Sequence, residues 1–202
     1  MRSIGALIYP KFELLDVFGP LELFGWRDDL FSLQLVGPSR GPVASSMGLA
    51  ACADLAMTEQ TRFDVLLIPG GWGPRTAVDT APLLPWIAAA AAQAEYVLTV
   101  CTGSALLAAS GFLDGRRATS NKAVFAWAKT HGPAVDWVAQ ARWVEDGKVF
   151  SSSGVSAGMD MALAAIRAME GAAVAEDVAL GCEYDWHRDS AWDPFAQRHR
   201  LT

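Results

Sequence analysis

The chain contains few cysteines and histidines, and no concentration of charge of either sign. Its three cysteines, Cys52, Cys101 and Cys182, are spread over 202 residues without the close pairs that metal sites use. We therefore expect no metal or other cofactor, and free thiols in a reducing cytoplasm. The net charge is −6, and the one basic cluster is the pair Arg116-Arg117, which disfavours nucleic-acid binding.

Long apolar runs are also missing. No window approaches the ~18–20 apolar residues of a membrane span, and the apolar run at the N-terminus is too short for a signal peptide. We expect no membrane contact. Hydrophobic residues are abundant, at 52% against 19% charged, which suits a compact core. We expect a single domain over 1–202, with its core at about 3–184 and a tail at 185–202.

Short apolar segments alternate with helical patterns along the chain. Buried strands are predicted at Ile4–Tyr9, Phe31–Val36, Phe63–Ile68 and Tyr96–Val100, and a hairpin around Glu145-Asp146-Gly147. Helical patterns lie at 21–26, 82–94, 103–109, 121–130, 159–169 and 172–184. This alternation predicts an α/β fold with a mostly parallel central sheet.

The stretch Tyr96–Ser104, Y-V-L-T-V-C-T-G-S, carries most of the functional interpretation. A buried strand leads directly to Cys101, and small residues followed by helix formers come after it. A strand that turns into a helix at a nucleophilic residue is a nucleophile elbow, which would hold the sulfur at a helix N-terminus and favour the thiolate. The alternative is a structural cysteine at a strand end, because cysteine is among the most buried residue types.

Two more segments follow predicted strands. Asp16 comes after the first strand, and is either the N-cap of a helix or an acid at the sheet edge where α/β proteins bind ligands. Gly70-Gly71 follows the strand that ends at Ile68 and predicts positive φ or a close approach to a ligand. Its N–H groups could form an oxyanion hole or bind phosphate. No P-loop lysine follows, so nucleotide binding is disfavoured.

Five motifs between Ile4 and about Tyr184 resemble a known family. They are L-L-D-V-F-G-P (Leu14–Pro20), D-V-L-L-I-P-G-G (Asp64–Gly71), V-C-T-G-S (Val100–Ser104), G-F-L-D-G-R-R-A-T (Gly111–Thr119) and S-G-V-S-A-G-M-D (Ser153–Asp160). Together they resemble the ThiJ/PfpI superfamily, whose sheet and elbow also occur in class I glutamine amidotransferases. Within it, they are most similar to isocyanide hydratases and to the sensor domains of AraC-type regulators.

The resemblance implies a flavodoxin-like sandwich, a homodimer and a small-molecule substrate. It also implies that Cys101 is the nucleophile and Asp16 the acid facing it, with backbone N–H groups of Thr102 and Gly71 beside the sulfur. Two aromatic residues adjoin these motifs. Phe18 and Trp72 could line an apolar substrate pocket, or could cover the core or a dimer face.

The chain departs from its relatives at three positions. The subgroup commonly has a His-Trp pair where this chain has Asn121 and Lys122, so no histidine stands where protease-like relatives place their base. Ser153 replaces a smaller residue of close relatives, and we expect it in the substrate pocket, with a different geometry opposite the nucleophile. The histidines of the chain match no catalytic position, and a solvated or packing role is expected for each: His131, His187 and His199.

Without a histidine, the proton of Cys101 needs another acceptor. An ionised Asp16 would oppose the thiolate, and keeping Asp16 neutral at pH 7 would need a pKa shift of ~3 units. Sharing one proton between the two groups costs less. Such a pair suits an electrophilic carbon that must also receive a proton.

The leading hypothesis is hydration of an isocyanide to an N-substituted formamide, through a thioimidate on Cys101 with Asp16 as acid and base. One alternative is an amidase, peptidase or glyoxalase-type hydro-lyase that uses the same cysteine. Another is a ligand or redox sensor in which Cys101 is oxidised rather than turning over substrate.

Overall fold

The computed structural model describes residues 1–60, 62–74 and 82–201. Its strands and helices alternate for most of the chain, as the apolar patterns predict. The strands are β1 (Arg2–Leu7), β2 (Phe31–Gly37), β3 (Gly41–Ala44), β4 (Ala50–Ala53), β5 (Leu55–Ala56), β6 (Val65–Ile68), β7 (Tyr96–Thr99), β8 (Arg117–Ala118), β9 (Asp136–Trp137), β10 (Trp143–Asp146) and β11 (Val149–Ser152). The helices are α1 (Leu14–Gly25), α2 (Leu83–Gln93), α3 (Gly103–Ala109), α4 (Phe125–Thr130), α5 (Ala157–Glu170), α6 (Ala172–Gly181) and α7 (Pro194–Arg198).

A seven-stranded sheet forms the centre of the described part of the chain, in the order β10-β11-β7-β6-β1-β2-β5. Every neighbouring pair is parallel except the β10–β11 hairpin, which confirms the predicted mostly parallel sheet. Strand β6 is buried along its whole length, which explains its unbroken apolar sequence V-L-L-I. Helix α1 packs against α5 and α5 against α6, while α2 packs against α3.

The sheet brings four loops to one edge. Because β1, β6, β7 and β11 run in parallel, their carboxyl ends lie together, and the segment after each one continues from that edge. These segments contain Asp16, Gly70-Gly71, Cys101 and Ser153, respectively. Ligands of open α/β sheets bind at such an edge. The fold therefore assembles residues that are far apart in sequence.

The first helix differs from its prediction. The sequence predicts a helix from Leu21 with Pro20 in its first turn, whereas α1 begins at Leu14 and contains Pro20 in its interior. Proline lacks the N–H that would bond to the carbonyl four residues earlier, so the helix tolerates it at the cost of one backbone hydrogen bond. The predicted helix at 121–130 is also divided, into a 3-10 turn at Lys122–Val124 and helix α4.

The C-terminal segment is attached to the core. The hydroxyl of Tyr184 and the backbone N–H of His187 both donate to Asp160 Oδ1, at 3.0 and 2.9 Å, and Trp186 is buried. Helix α7, which has no clear sequence pattern, begins after Asp193, whose side chain accepts from the N–H of Phe195. Within the described ranges, no helix has the length and apolar character needed to cross a membrane.

Candidate active site

Cys101 lies in a sharp turn between β7 and α3. Its φ is +60°, in the left-handed region that non-glycine residues seldom adopt, and its side chain is almost completely buried. The N–H of Cys101 donates to the carbonyl of Ser153 at 3.0 Å, which fixes the turn. Gly103 then allows α3 to pack closely, since a Cβ there would overlap the carbonyl of Ile68. This is the backbone geometry expected of an elbow.

Asp16 lies in the first turn of α1 and is fully buried. Its Oδ2 accepts a hydrogen bond from the N–H of Gly70 at 2.8 Å. The alternative interpretation of Asp16 as a helix N-cap is wrong, because α1 begins two residues earlier at Leu14 and the carboxylate bonds across to the β6 loop instead. Its Oδ1 atom is buried without a hydrogen-bond partner among the described residues.

Burial raises the pKa of Asp16 to about 7. The hydrogen bond from Gly70 opposes this shift, the nearby charge of Glu13 adds to it, and the neighbouring Cys101 thiol opposes it. The Asp16 carboxyl and the Cys101 thiol are therefore close enough for each to shift the pKa of the other. The structure achieves the pKa shift of ~3 units by removing the carboxyl from water.

Burial also raises the pKa of the Cys101 thiol to about 12, with the charge of Asp16 as the second cause. Hydrogen bonds from the Asn121 side chain and from the backbone N–H groups of Thr102 and Val155 act in the opposite direction. Burial and the charge of Asp16 raise the pKa of the thiol by more than these donors lower it, and so oppose the thiolate that a helix N-terminus favours. The structure favours a neutral thiol beside a carboxyl that titrates near neutral pH.

Asn121 contacts the sulfur directly. Its Nδ2 donates to Cys101 Sγ at 3.2 Å, and its Oδ1 accepts from the N–H of Ala123 at 2.9 Å, which orients the amide. Sequence reasoning identified Asn121 as a departure from related proteins but assigned it no contact. The signal for this contact in the sequence is the R-A-T-S-N segment, in which Asn121 stands where the family resemblance leads us to expect histidine.

Thr102 and Gly71 bond to each other beside the sulfur. The N–H of Gly71 donates to Thr102 Oγ1 at 3.1 Å, and Gly71 has φ of +129°, as expected for a glycine pair after a strand. A Cβ at Gly71 would overlap the carbonyl of Lys11. The Gly71 N–H is thus engaged by a hydroxyl, whereas the Thr102 N–H faces the Cys101 thiol.

A cavity of about 250 Å³ opens onto Cys101. Trp72, an expected pocket residue, lies on it and is 56% exposed. Glu13 also lines it, a residue to which the sequence interpretation gave no role. The described residues around it are Glu13, Gly71, Trp72, Cys101, Thr102, Asn121, Ala123, Val124 and Val155.

Two expected pocket residues lie elsewhere. Phe18 is 42% exposed on the outer face of α1, in a groove with Leu21 and Trp26, so its placement in the substrate pocket is a misassignment. The helical periodicity of α1 turns Phe18 away from the face that holds Asp16. Ser153 lines a neighbouring cavity of about 230 Å³, and its backbone supports Cys101.

Histidines are not among the described residues that line the Cys101 cavity. His131 packs against Trp127 with ring centroids 4.6 Å apart, and His199 lines the neighbouring cavity. The part of the chain that the structure describes has no group of three or more histidine, cysteine or acidic side chains that could hold a metal ion. The carboxyl groups described at this site are those of Glu13, which lines the cavity, and of the buried Asp16.

The chain is similar in sequence and fold to known proteins. A model of the DJ-1/PfpI family matches residues 2–168. Isonitrile hydratase from Pseudomonas putida is 36% identical over 184 residues, covering 90% of this chain and 78% of that protein. The crystal structure of a ThiJ/PfpI family protein from Pseudomonas syringae superposes with a TM-score of 0.84 at 32% identity, over 91% of this chain and 75% of that one. These matches confirm the flavodoxin-like α/β sandwich.

A transcriptional regulator is also similar. The HTH-type regulator CdhR from Pseudomonas aeruginosa is 31% identical over 178 residues, which are 86% of this chain and 52% of the regulator. The chain therefore spans about half the length of that regulator. The chain is thus more than 30% identical both to an enzyme and to a regulatory protein.

Proposed function

The chain belongs to the DJ-1/PfpI family, and on that premise we propose that it is a cysteine-dependent isocyanide hydratase. Isocyanide and isonitrile are two names for the same functional group, so the Pseudomonas putida relative supports this reaction class. The proposal assigns Cys101 as the nucleophile and Asp16 as the acid and base. The product is an N-substituted formamide.

The observation that carries the proposal is a Cys101 thiol that opens onto a cavity and accepts a hydrogen bond from Asn121, with the buried carboxyl of Asp16 close enough to raise the pKa of the thiol. An isocyanide is uncharged, and its terminal carbon accepts both a nucleophile and a proton. A free thiolate would supply only the nucleophile. A thiol that transfers its proton through Asp16 during attack supplies both.

The first step follows from this pairing. Asp16 takes the proton from Cys101 Sγ as sulfur forms a bond to the terminal carbon of the isocyanide, and the same proton goes to that carbon. The product is a thioimidate, S–CH=N–R. Asn121 and the N–H groups of Thr102 and Val155, which face the sulfur, stabilise the negative charge that develops on it.

The cavity supports a small substrate. Its volume of about 250 Å³ accommodates an isocyanide with a modest aryl or alkyl group, and Trp72 offers an apolar surface for that group. The proposal includes a homodimer, which sedimentation of the purified protein would test. It also includes a cytoplasmic location. The proposal keeps the backbone N–H groups of Gly71 and Thr102 as donors beside the sulfur. To act as a donor there, the Gly71 N–H has to break its hydrogen bond to Thr102 Oγ1.

The test is production of formamide from an aryl isocyanide, followed by chromatography with mass detection. Wild-type protein should convert it, and Cys101→Ala should reduce conversion to the uncatalysed background. Asp28→Asn, an exposed acid away from the cavity, provides the control and should remain active. Equal rates for wild type and Cys101→Ala would end the proposal.

A sensor is the second candidate, and the similarity to the regulator CdhR favours it. In that case Cys101 would be oxidised to a sulfenic or sulfinic acid without turnover. The neutral thiol weighs against it, because thiolates are the form that peroxide oxidises readily. Intact-mass measurement during peroxide titration separates the two, since fast stoichiometric oxidation of Cys101 with no turnover supports sensing. An amidase, peptidase or glyoxalase activity on the same cysteine would be detected by assaying its products in parallel.

A further inference from the structure

Hydration of an isocyanide requires two proton transfers of different kinds. The first accompanies attack by sulfur and involves Asp16, which is buried next to the thiol. The second removes a proton from the water that attacks the thioimidate carbon. That water has to reach the carbon from the cavity, because the other side is occupied by the protein around Cys101.

Glu13 lies at the boundary of that cavity. It is the residue immediately before α1, and its side chain is partly buried. Its backbone N–H donates to the carbonyl of Gly70 at 2.9 Å, while the N–H of the same Gly70 donates to Asp16 at 2.8 Å. One glycine therefore holds both carboxylate-bearing segments, so the position of Glu13 relative to Asp16 is fixed by the backbone.

Among the described residues that line the cavity, Glu13 is the one that carries a carboxylate, and so the one that could take a proton from water there. Asn121 touches the sulfur but its amide cannot accept a proton from water. Burial raises the pKa of Glu13, which makes it a stronger base than a surface glutamate, and its charge in turn raises the pKa of Asp16. The two carboxyl groups thus differ in environment, one sealed beside the sulfur and one at the cavity.

We propose that Glu13 is the general base that activates water for hydrolysis of the thioimidate. This rests on the proposed function and divides its steps between two carboxyl groups: Asp16 serves the formation of the C–S bond, and Glu13 serves its hydrolysis. Two acids with different tasks in one site are a common solution where a single group cannot be in both protonation states.

Glu13 takes a proton from water as the water oxygen bonds to the thioimidate carbon, and the π pair of C=N moves to nitrogen, which receives that proton from Glu13. The tetrahedral intermediate S–CH(OH)–NHR results. The C–S bond then breaks, its electron pair goes to sulfur, and the hydroxyl proton returns to sulfur through Asp16. The products are R–NH–CHO and the free Cys101 thiol.

The experiment follows the covalent adduct rather than turnover alone. Wild type, Glu13→Gln and Asp16→Asn are mixed with an aryl isocyanide and quenched in acid, and intact mass reports the fraction carrying one added isocyanide. Glu13→Gln should form the adduct within about threefold of the wild-type rate and accumulate it, with kcat lower by ~100-fold, the usual share of a general base. Asp16→Asn should accumulate no adduct.

Three controls keep the outcomes distinct. Glu145→Gln removes an exposed carboxylate away from the cavity and should behave as wild type. Glu13→Asp retains a carboxylate on a shorter side chain and should recover part of kcat, with less adduct accumulation than Glu13→Gln. Thermal unfolding of each variant checks that it is folded.

A Glu13→Gln protein that turns over like wild type, or that loses adduct formation as Asp16→Asn does, would overturn the role of Glu13 and leave the proposed function standing. Absence of both adduct and formamide with wild type would overturn the proposed function, and the role of Glu13 with it.

Discussion

The Nδ2 atom of Asn121 lies 3.2 Å from the Sγ atom of Cys101 and donates a hydrogen bond to it. An amide can stabilise negative charge on sulfur, but it cannot take the thiol proton as an imidazole would. In the proposed mechanism the proton is therefore left to Asp16, the buried carboxyl whose charge raises the pKa of the thiol. This division between a donor that cannot titrate and an acid that can is the basis of the proposed chemistry.

Removing the donor should slow the reaction of Cys101 with iodoacetamide. A hydrogen bond to a charged acceptor contributes about 1.5 kcal/mol, so we expect Asn121→Ala to slow alkylation about tenfold at fixed pH. Asn121→Asp keeps an acceptor for the N–H of Ala123 but places a negative charge against sulfur, and should slow it further. Peptide mapping measures the rate, with exposed Cys52 in the same molecule as the internal control. Unchanged alkylation in both variants would contradict the assigned contact.

Replacing Asp16 by asparagine should raise the reactivity of the Cys101 thiol and lower turnover. The charge of Asp16 raises the pKa of Cys101, so Asp16→Asn lowers it and should speed alkylation of Cys101 several-fold. The asparagine retains an oxygen that can accept from the N–H of Gly70, which preserves the fold. Formamide production should nevertheless fall by at least ~100-fold, because the proton carrier is lost.

Alkylation and formamide assays on the same preparation test this pair of effects. A parallel loss of both would indicate a distorted site rather than a missing acid. Asp28→Asn should leave both rates unchanged and serves as the control.

The buried carboxyl should also make stability depend on pH. The pKa of Asp16 rises from its usual 3.8 to about 7 in the folded protein, so the folded state binds the proton more tightly than the unfolded chain. Its contribution is fully present below about pH 4 and is lost as pH rises to about 7. A shift of about 3 units corresponds to about 4 kcal/mol.

We expect the free energy of unfolding of wild type, relative to Asp16→Asn, to fall by that amount between pH 4 and pH 8. Urea denaturation at both values measures the difference, and the comparison cancels the other titrating groups. A constant difference would show that Asp16 is not desolvated.

Much of this site follows from the sequence because the residues concerned obey local rules. A buried strand that leads to Cys101 predicts the strand-to-helix turn there. A glycine pair after another strand predicts positive φ. The Asn121 contact does not follow, because it joins segments 20 residues apart in sequence and depends on how the 3-10 turn at 122–124 is packed. The raised pKa of the Cys101 thiol does not follow from the sequence either, for a similar reason.

Burial is a property of the whole fold, and it outweighs a helix terminus that the local sequence does reveal. Phe18 was misplaced because the true start of α1 at Leu14, rather than Leu21, decides which way each side chain points.

Gly103 provides a test of the elbow by packing rather than chemistry. Alanine has the higher helix propensity by ~1 kcal/mol, so Gly103→Ala would stabilise an uncrowded helix start. Here the added Cβ would overlap the carbonyl of Ile68 and lie 2.8 Å from that of Pro69, and backbone atoms cannot rotate away. We expect a loss of about 1–3 kcal/mol in urea denaturation, as for other overpacked sites.

Gly25→Ala is the matched control, since it meets only the flexible Leu33 side chain at 3.2 Å at the end of α1. It should be neutral or slightly stabilising. Because Gly103 sets the distance between α3 and β6, Gly103→Ala should also move the sulfur away from Asp16 and reduce turnover by ~100-fold. A Gly103→Ala protein as stable and active as Gly25→Ala would mean that Cys101 does not depend on this close approach for its position.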